Sequence, residues 1–101
     1  MDERFNEIRI RWEGWMNRPF PDGASDIESG EIDLMSIDTF AAGCIDTFVT
    51  SRGRLDEERI KILRGCAKAL EAVLHELSGE INIYFAELGD ISHLILRYLK
   101  R

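Results

Sequence analysis

The chain has 101 residues, of which 45% are hydrophobic and 32% are charged, and its formal net charge is −6. This length and composition predict a single soluble globular domain and exclude an intrinsically disordered chain. No apolar run is long enough to span a membrane, and the charged start of the chain does not resemble a secretory signal, so we expect a cytoplasmic protein.

A first helix is predicted over residues 2–17. Four apolar residues follow one another there at the steps of three and four that define one helical face: Phe5, Ile8, Trp12 and Trp15. We expect this face to pack in the core. Tryptophan is also enriched at binding hot spots, so Trp15 is kept as a candidate partner contact.

Residues 18–30 are predicted to form a loop. Pro21 presets its own φ and Gly23 tolerates positive φ, so the sequence Pro21-Asp22-Gly23 indicates a turn. Phe20 lies between two prolines. We expect it either to anchor the loop on the core or to contact a partner.

A second helix is predicted over residues 36–52, with Ser36 as its N-cap. The preceding stretch, 31–35, fits either a first helical turn or a short extended segment. Within the helix, Ile37-Asp38-Thr39-Phe40 recurs as Ile45-Asp46-Thr47-Phe48. Eight residues of helix rise about 12 Å and rotate side chains by about 80°, so the two aspartates cannot share one metal or proton. The small residues 41–44 between the copies predict a seam for close helix packing.

A third helix over residues 57–77, with Asp56 as N-cap, carries the most regular apolar stripe and is expected at the centre of the core. A fourth helix is predicted over residues 80–99. Four helices joined by short links predict an all-α, four-helix antiparallel bundle.

The sequence contains only one half of the motif that a carboxylate-bridged metal site requires. Asp90-x-x-His93 has the step of half a carboxylate-bridged site, but His75 has no acid three residues before it. No glycine-rich phosphate-binding motif occurs, and the two cysteines, Cys44 and Cys66, are expected to be buried thiols. We therefore expect no cofactor and no enzymatic activity. The alternative is an enzyme or a ligand- or metal-binding bundle with a pocket near Asp90, His93 and Tyr84.

Charge is distributed unevenly. Residues 19–50 hold seven acids and no Lys, Arg or His, which argues against nucleic-acid binding and favours docking on a basic protein surface. The expected function is a small interaction protein of the inhibitor, immunity or antitoxin kind, and homodimerisation through a helix face is also expected. The candidate partner-binding residues are Phe20, Asp22, Asp26, Glu28, Asp33 and Trp15.

A helical DNA-binding repressor is a third option. Such a repressor would need a basic recognition helix. The best candidate, residues 56–68, contains three acidic residues as well as its basic residues. This composition makes the repressor less favoured than a protein-binding role.

Overall fold

The structure is a computed structural model that describes residues 2–29 and 32–100. It confirms the predicted all-α four-helix bundle, with four helices packed against one another. The helices are α1 (Glu3–Met16), α2 (Leu34–Thr50), α3 (Glu57–Val73) and α4 (Gly79–Leu99). Two short 3₁₀ turns, Ala24–Asp26 and Leu74–Glu76, and two antiparallel two-residue strands, β1 (Glu28–Ser29) and β2 (Ile32–Asp33), complete the described elements.

The start of α2 differs from the prediction. Asp33, not Ser36, is the N-cap: its carboxylate accepts from the backbone N–H of Met35 at 3.1 Å and from the hydroxyl of Ser36 at 2.9 Å. The Asp33 carboxylate thereby satisfies one of the backbone N–H groups that the first turn of the helix leaves without a partner, and Ser36 lies inside that first turn. In the ambiguous stretch 31–35, residues 32–33 are therefore extended and residues 34–35 helical, while Glu31 lies outside the described residues.

The most central helix is α4 rather than α3. Helix α4 packs extensively against each of the other three, whereas α3 packs mainly against α2 and α4. The sequence is consistent with this difference because the buried residues of α4 form one wide face of the helix. That face comprises Tyr84, Phe85, Leu88, Gly89, Ile91, Ser92 and Ile95. The buried Ser92 hydroxyl donates a hydrogen bond to the Leu88 carbonyl at 2.8 Å, so the hydroxyl is not left unsatisfied in the core.

The connections between helices are fixed by local hydrogen bonds. Gly53 ends the turn after α2 with φ of 101°, and its N–H donates to the carbonyl of Phe48 at 2.8 Å. Between α3 and α4, the side-chain amide of Asn82 donates to the carbonyls of Leu74 and Leu77 at 2.9 and 3.3 Å. Asn82 thus ties the 3₁₀ turn back onto the first turn of α4.

Candidate functional site

The loop after α1 folds against the start of α4 and encloses a cleft of about 580 Å³, called here the loop cleft. Its lining residues are Arg18, Pro19, Phe20, Pro21, Asp22, Glu80, Ile83 and Tyr84. Ile83 points away from the core and is 53% exposed. The cleft therefore offers an apolar surface with charged side chains beside it.

Phe20 holds this loop in place. Its ring is half-buried and meets the rings of Tyr84 and Phe85 edge-on, with centroids 5.8 and 6.1 Å away. Edge-to-face aromatic pairs of this kind add about 1 kcal/mol beyond the area that they bury. Phe20 thus anchors the loop to the bundle and still lines the cleft.

Trp15 lies inside the bundle and does not reach the cleft. Its side chain is only 5% exposed, and its indole N–H donates to the backbone carbonyl of Tyr84 at 3.0 Å. It also stacks on Trp12, with ring centroids 5.3 Å apart. In this structure Trp15 is therefore part of the core and does not offer a surface contact, because burying an indole with a satisfied N–H is favourable.

Tyr84 connects the cleft to α2. Its hydroxyl donates to Asp38 Oδ2 at 2.8 Å. Desolvation by burial, together with the nearby carboxylate, raises the pKa of Tyr84 above its usual range, and desolvation also raises the pKa of Asp38. The phenol thus stays protonated and acts as a hydrogen-bond donor that joins two helices. Sequence spacing could not reveal this pair, because its members lie 46 positions apart.

The predicted acidic residues have different roles. Asp22 and Asp26 are exposed and form no ion pair with any residue that the structure describes. Asp33 caps α2, and Glu28 lies opposite it in the β1–β2 pair. Sequence reasoning missed Glu80, which is exposed, is likewise unpaired within the described chain and lines the loop cleft with Asp22.

The alternative pocket near Asp90, His93 and Tyr84 is not formed. Asp90 Oδ2 lies 3.6 Å from Arg11 on α1, and His93 Nε2 lies 2.9 Å from Glu71 Oε1 on α3. Tyr84 and His93 line separate clefts. Among residues 2–29 and 32–100, no group of three or more His, Cys, Asp or Glu side chains is placed to hold a metal ion.

A second concave surface, the α2–α3 groove, has a volume of about 480 Å³. It is lined by Thr39, Phe40, Gly43, Cys44, Thr47, Glu58, Arg59 and Ile62. Phe40 and Ile62 are 58% and 39% exposed. The predicted seam over residues 41–44 is only partly closed: Ala41 and Cys44 are buried, whereas Gly43 faces open space.

Both cysteines are free and buried, as the sequence indicates. Desolvation raises the pKa of Cys44, and it raises the pKa of Cys66 to about 11. The thiolate is the nucleophilic form of cysteine. Both groups are therefore held in their unreactive form at neutral pH.

Comparison with known proteins provides no relative: no family model, no curated protein and no solved structure matches the chain. Within the described part of the chain, no helix has the length and apolar character needed to cross a lipid bilayer.

Proposed function

We propose that this chain is a non-catalytic interaction protein, of the inhibitor, immunity or antitoxin kind, that binds a basic segment of another protein in the loop cleft. One observation carries the proposal: the exposed Ile83 and the half-buried Phe20 lie in the same cleft as two unpaired carboxylates, Asp22 and Glu80. An apolar centre with a charged rim is the usual anatomy of a protein interface.

Electrostatics favour a basic partner. Asp22 and Glu80 are partly offset by Arg18, which lines the same cleft. The preference for a positively charged partner therefore depends also on the exposed Asp26 and on the net charge of −6. The negative electrostatic potential that these charges create accelerates association with a basic protein and makes the association rate sensitive to salt.

The chemistry of the buried groups also supports binding over catalysis. Tyr84 and the two cysteines, the buried side chains that could act as nucleophiles, all have raised pKa values. Tyr84 is already engaged with Asp38. The free cysteines are also in keeping with the cytoplasm, where thiols stay reduced, and we place the protein there.

Site-specific photo-crosslinking tests this proposal in the cells that carry the gene. A photoreactive amino acid is placed at Ile83 in the cleft, and at the exposed Lys68 on α3 as the matched control. We expect a discrete protein adduct from position 83 that position 68 does not give. The same adducts from both positions, or none from position 83, would contradict the proposal.

The purified partner then permits a charge test. Asp22→Asn combined with Glu80→Gln should weaken binding by about tenfold at low salt, since each rim charge contributes mainly to association. The control pair, Asp46→Asn with Glu7→Gln, removes the same net charge from exposed sites outside the cleft. Equal weakening by the two pairs would show that only net charge matters.

We also propose that the protein forms a homodimer through the α2–α3 groove. The exposed Phe40 and Ile62 provide the apolar contact. Arg59 also lines the groove, and a two-fold axis can place the Glu58 of one copy opposite the Arg59 of the other, which then adds to the Asp56–Arg59 pair within each chain. Sedimentation equilibrium should show a dimer that Phe40→Ser abolishes and Ile83→Ser preserves.

A further inference from the structure

A third cleft lies between the start of α3 and the end of α4 and has a volume of about 560 Å³. It is called here the basic cleft. Its lining residues are Glu57, Ile60, Arg64, His93, Leu96, Arg97, Leu99 and Lys100. Ile83 and Arg97 are 14 residues apart on α4, which corresponds to about 21 Å of helix rise. The basic cleft is therefore separate from the loop cleft.

Three cations of this cleft are uncompensated. Arg64, Arg97 and Lys100 are exposed, and none of them forms an ion pair or side-chain hydrogen bond with any residue in the described ranges. By contrast, Arg11 pairs with Glu87, and Arg59 pairs with Asp56. In a chain with net charge −6, three free cations around one concavity are an unusual concentration of positive charge.

The charge of the cleft matches a doubly charged anion. Glu57 is the acid among the lining residues, so Arg64, Arg97, Lys100 and Glu57 sum to about +2. His93 also lines the cleft, and its Nε2 lies 2.9 Å from Oε1 of Glu71, which is not among the lining residues. A phosphate monoester carries about −1.5 to −2 at neutral pH, whereas a single carboxylate would leave one cation uncompensated. Arginine forks bind phosphate oxygens bidentately.

The cleft also has an apolar side. Ile60, Leu96 and Leu99 are half-buried and line it next to the cations. A volume of about 560 Å³ lies within the range of about 300–1,000 Å³ that is typical of small-molecule sites. A nucleic-acid strand would instead need a basic track along the surface, and the acidic balance of this chain opposes that.

From this geometry we propose that the basic cleft binds an organic phosphate, with the phosphoryl oxygens held by Arg64, Arg97 and Lys100 and an apolar or aromatic group packed on Ile60 and Leu96. The ligand is a small phosphorylated molecule or a phosphate-bearing headgroup. Its site does not depend on the loop cleft, so this proposal stands independently of the protein partner.

Isothermal titration calorimetry with ADP, pyrophosphate and inorganic phosphate, at near-physiological salt, tests the proposal. ADP should bind at least about fivefold more tightly than inorganic phosphate, because its adenine ring adds an aromatic group that can pack on Ile60 and Leu96. Vesicles that contain phosphatidic acid, compared with vesicles of neutral lipid, form the second arm. Binding to soluble ADP assigns a free ligand, and binding confined to phosphatidic acid assigns a headgroup; both outcomes support the site.

Matched variants locate the binding. Arg64→Gln and Arg97→Gln should each weaken binding of the responding probe by about tenfold, since each removes a charge-assisted contact. Arg9→Gln on α1 makes the same charge change outside the cleft and should alter affinity less than about twofold. Glu57→Gln should tighten binding by about threefold, because it removes the opposing carboxylate.

No binding of any probe at concentrations up to about 5 mM would overturn the proposal. Equal weakening by Arg9→Gln and Arg64→Gln would also overturn it, because the effect would then be nonspecific charge. A variant that loses binding could do so because it is less stable. The tighter binding expected for Glu57→Gln cannot be explained in that way, so it tests the site independently.

Discussion

The two copies of Ile-Asp-Thr-Phe on α2 have the same sequence and occupy different environments. Phe48 is 0% exposed, with its ring centroid 5.7 Å from that of Phe5 and 5.5 Å from that of Tyr98. Phe40 is 58% exposed and lines the α2–α3 groove. Because eight helical residues rotate a side chain by about 80°, only one copy places its phenylalanine in the core.

The two aspartates of the repeat differ in burial in the opposite sense to the two phenylalanines. Asp38, in the copy with the exposed phenylalanine, is half-buried and accepts a hydrogen bond from Tyr84, whereas Asp46 is exposed. The threonines behave alike, since Thr39 and Thr47 both donate to the carbonyl four residues earlier. A repeat of period eight therefore reproduces local backbone bonding but not tertiary contacts.

The phenylalanine pair gives the largest expected contrast. Phe48→Ala should lower the free energy of unfolding by about 3–5 kcal/mol, because it leaves a cavity in the core. Phe40→Ala should change it by no more than about 0.5 kcal/mol in the monomer. Urea unfolding at low protein concentration measures both.

Repeating these unfolding measurements at several protein concentrations tests the proposed homodimer. If the homodimer forms through the α2–α3 groove, Phe40→Ala should become more destabilising as concentration rises, since dimerisation is linked to folding by mass action. Phe48→Ala should retain a large cost at every concentration. Similar costs for the two variants at low concentration would contradict the burial difference.

The aspartate pair comes next. Asp38→Ala should cost about 1–2 kcal/mol, because the Tyr84 hydroxyl loses its acceptor. Asp46→Ala should stay within about 0.5 kcal/mol. A double-mutant cycle with Tyr84→Phe should give a coupling of about 1 kcal/mol with Asp38→Ala and none with Asp46→Ala. Equal coupling to both aspartates would disprove the specific contact.

The smallest effect is the pH dependence of stability. Burial raises the pKa of Asp38 above its ordinary value of 3.8, against the opposing effect of the Tyr84 hydrogen bond. Folded Asp38 then holds its proton to higher pH than in the unfolded chain, so its contribution to stability is complete below that ordinary value and is lost as pH rises through the folded pKa.

Asp38→Asn removes this titration. Its free energy of unfolding, taken relative to wild type, should therefore rise as the pH increases from 3.8 through the raised pKa of folded Asp38. Asp46→Asn is the control, and both are followed by urea unfolding at fixed ionic strength. A rise of the same size in the control would assign the effect to general acid titration.

Local sequence predicted the helices well because apolar spacing and turn residues act over a few positions. Helices α1 and α4 begin and end within one residue of the predicted ranges. The start of α2 was misplaced because Asp33, three residues before the predicted cap Ser36, is the residue that caps the helix; it is also paired with Glu28 in the β1–β2 pair.

The candidate sites were predicted less well. Asp22 and Phe20 do line a cleft, but the other wall of that cleft, with Glu80 and Ile83, comes from α4 about 60 residues later. Asp90 and His93, which the sequence places one helical turn apart, have separate partners on neighbouring helices, Arg11 and Glu71. Helical spacing identifies residues on one face and carries no information on the helix opposite.

The amino-acid sequence alone was enough to predict the all-α class and the four helices, because both follow from periodic apolar spacing along short stretches of chain. It also determined the net charge and the acidic segment. The packing of the bundle was needed to establish which copy of the tetrapeptide faces the core, which of the described acids remain unpaired and which cations share a cleft. These depend on the rotation of each helix against its neighbours, which is set by the packing of the whole bundle.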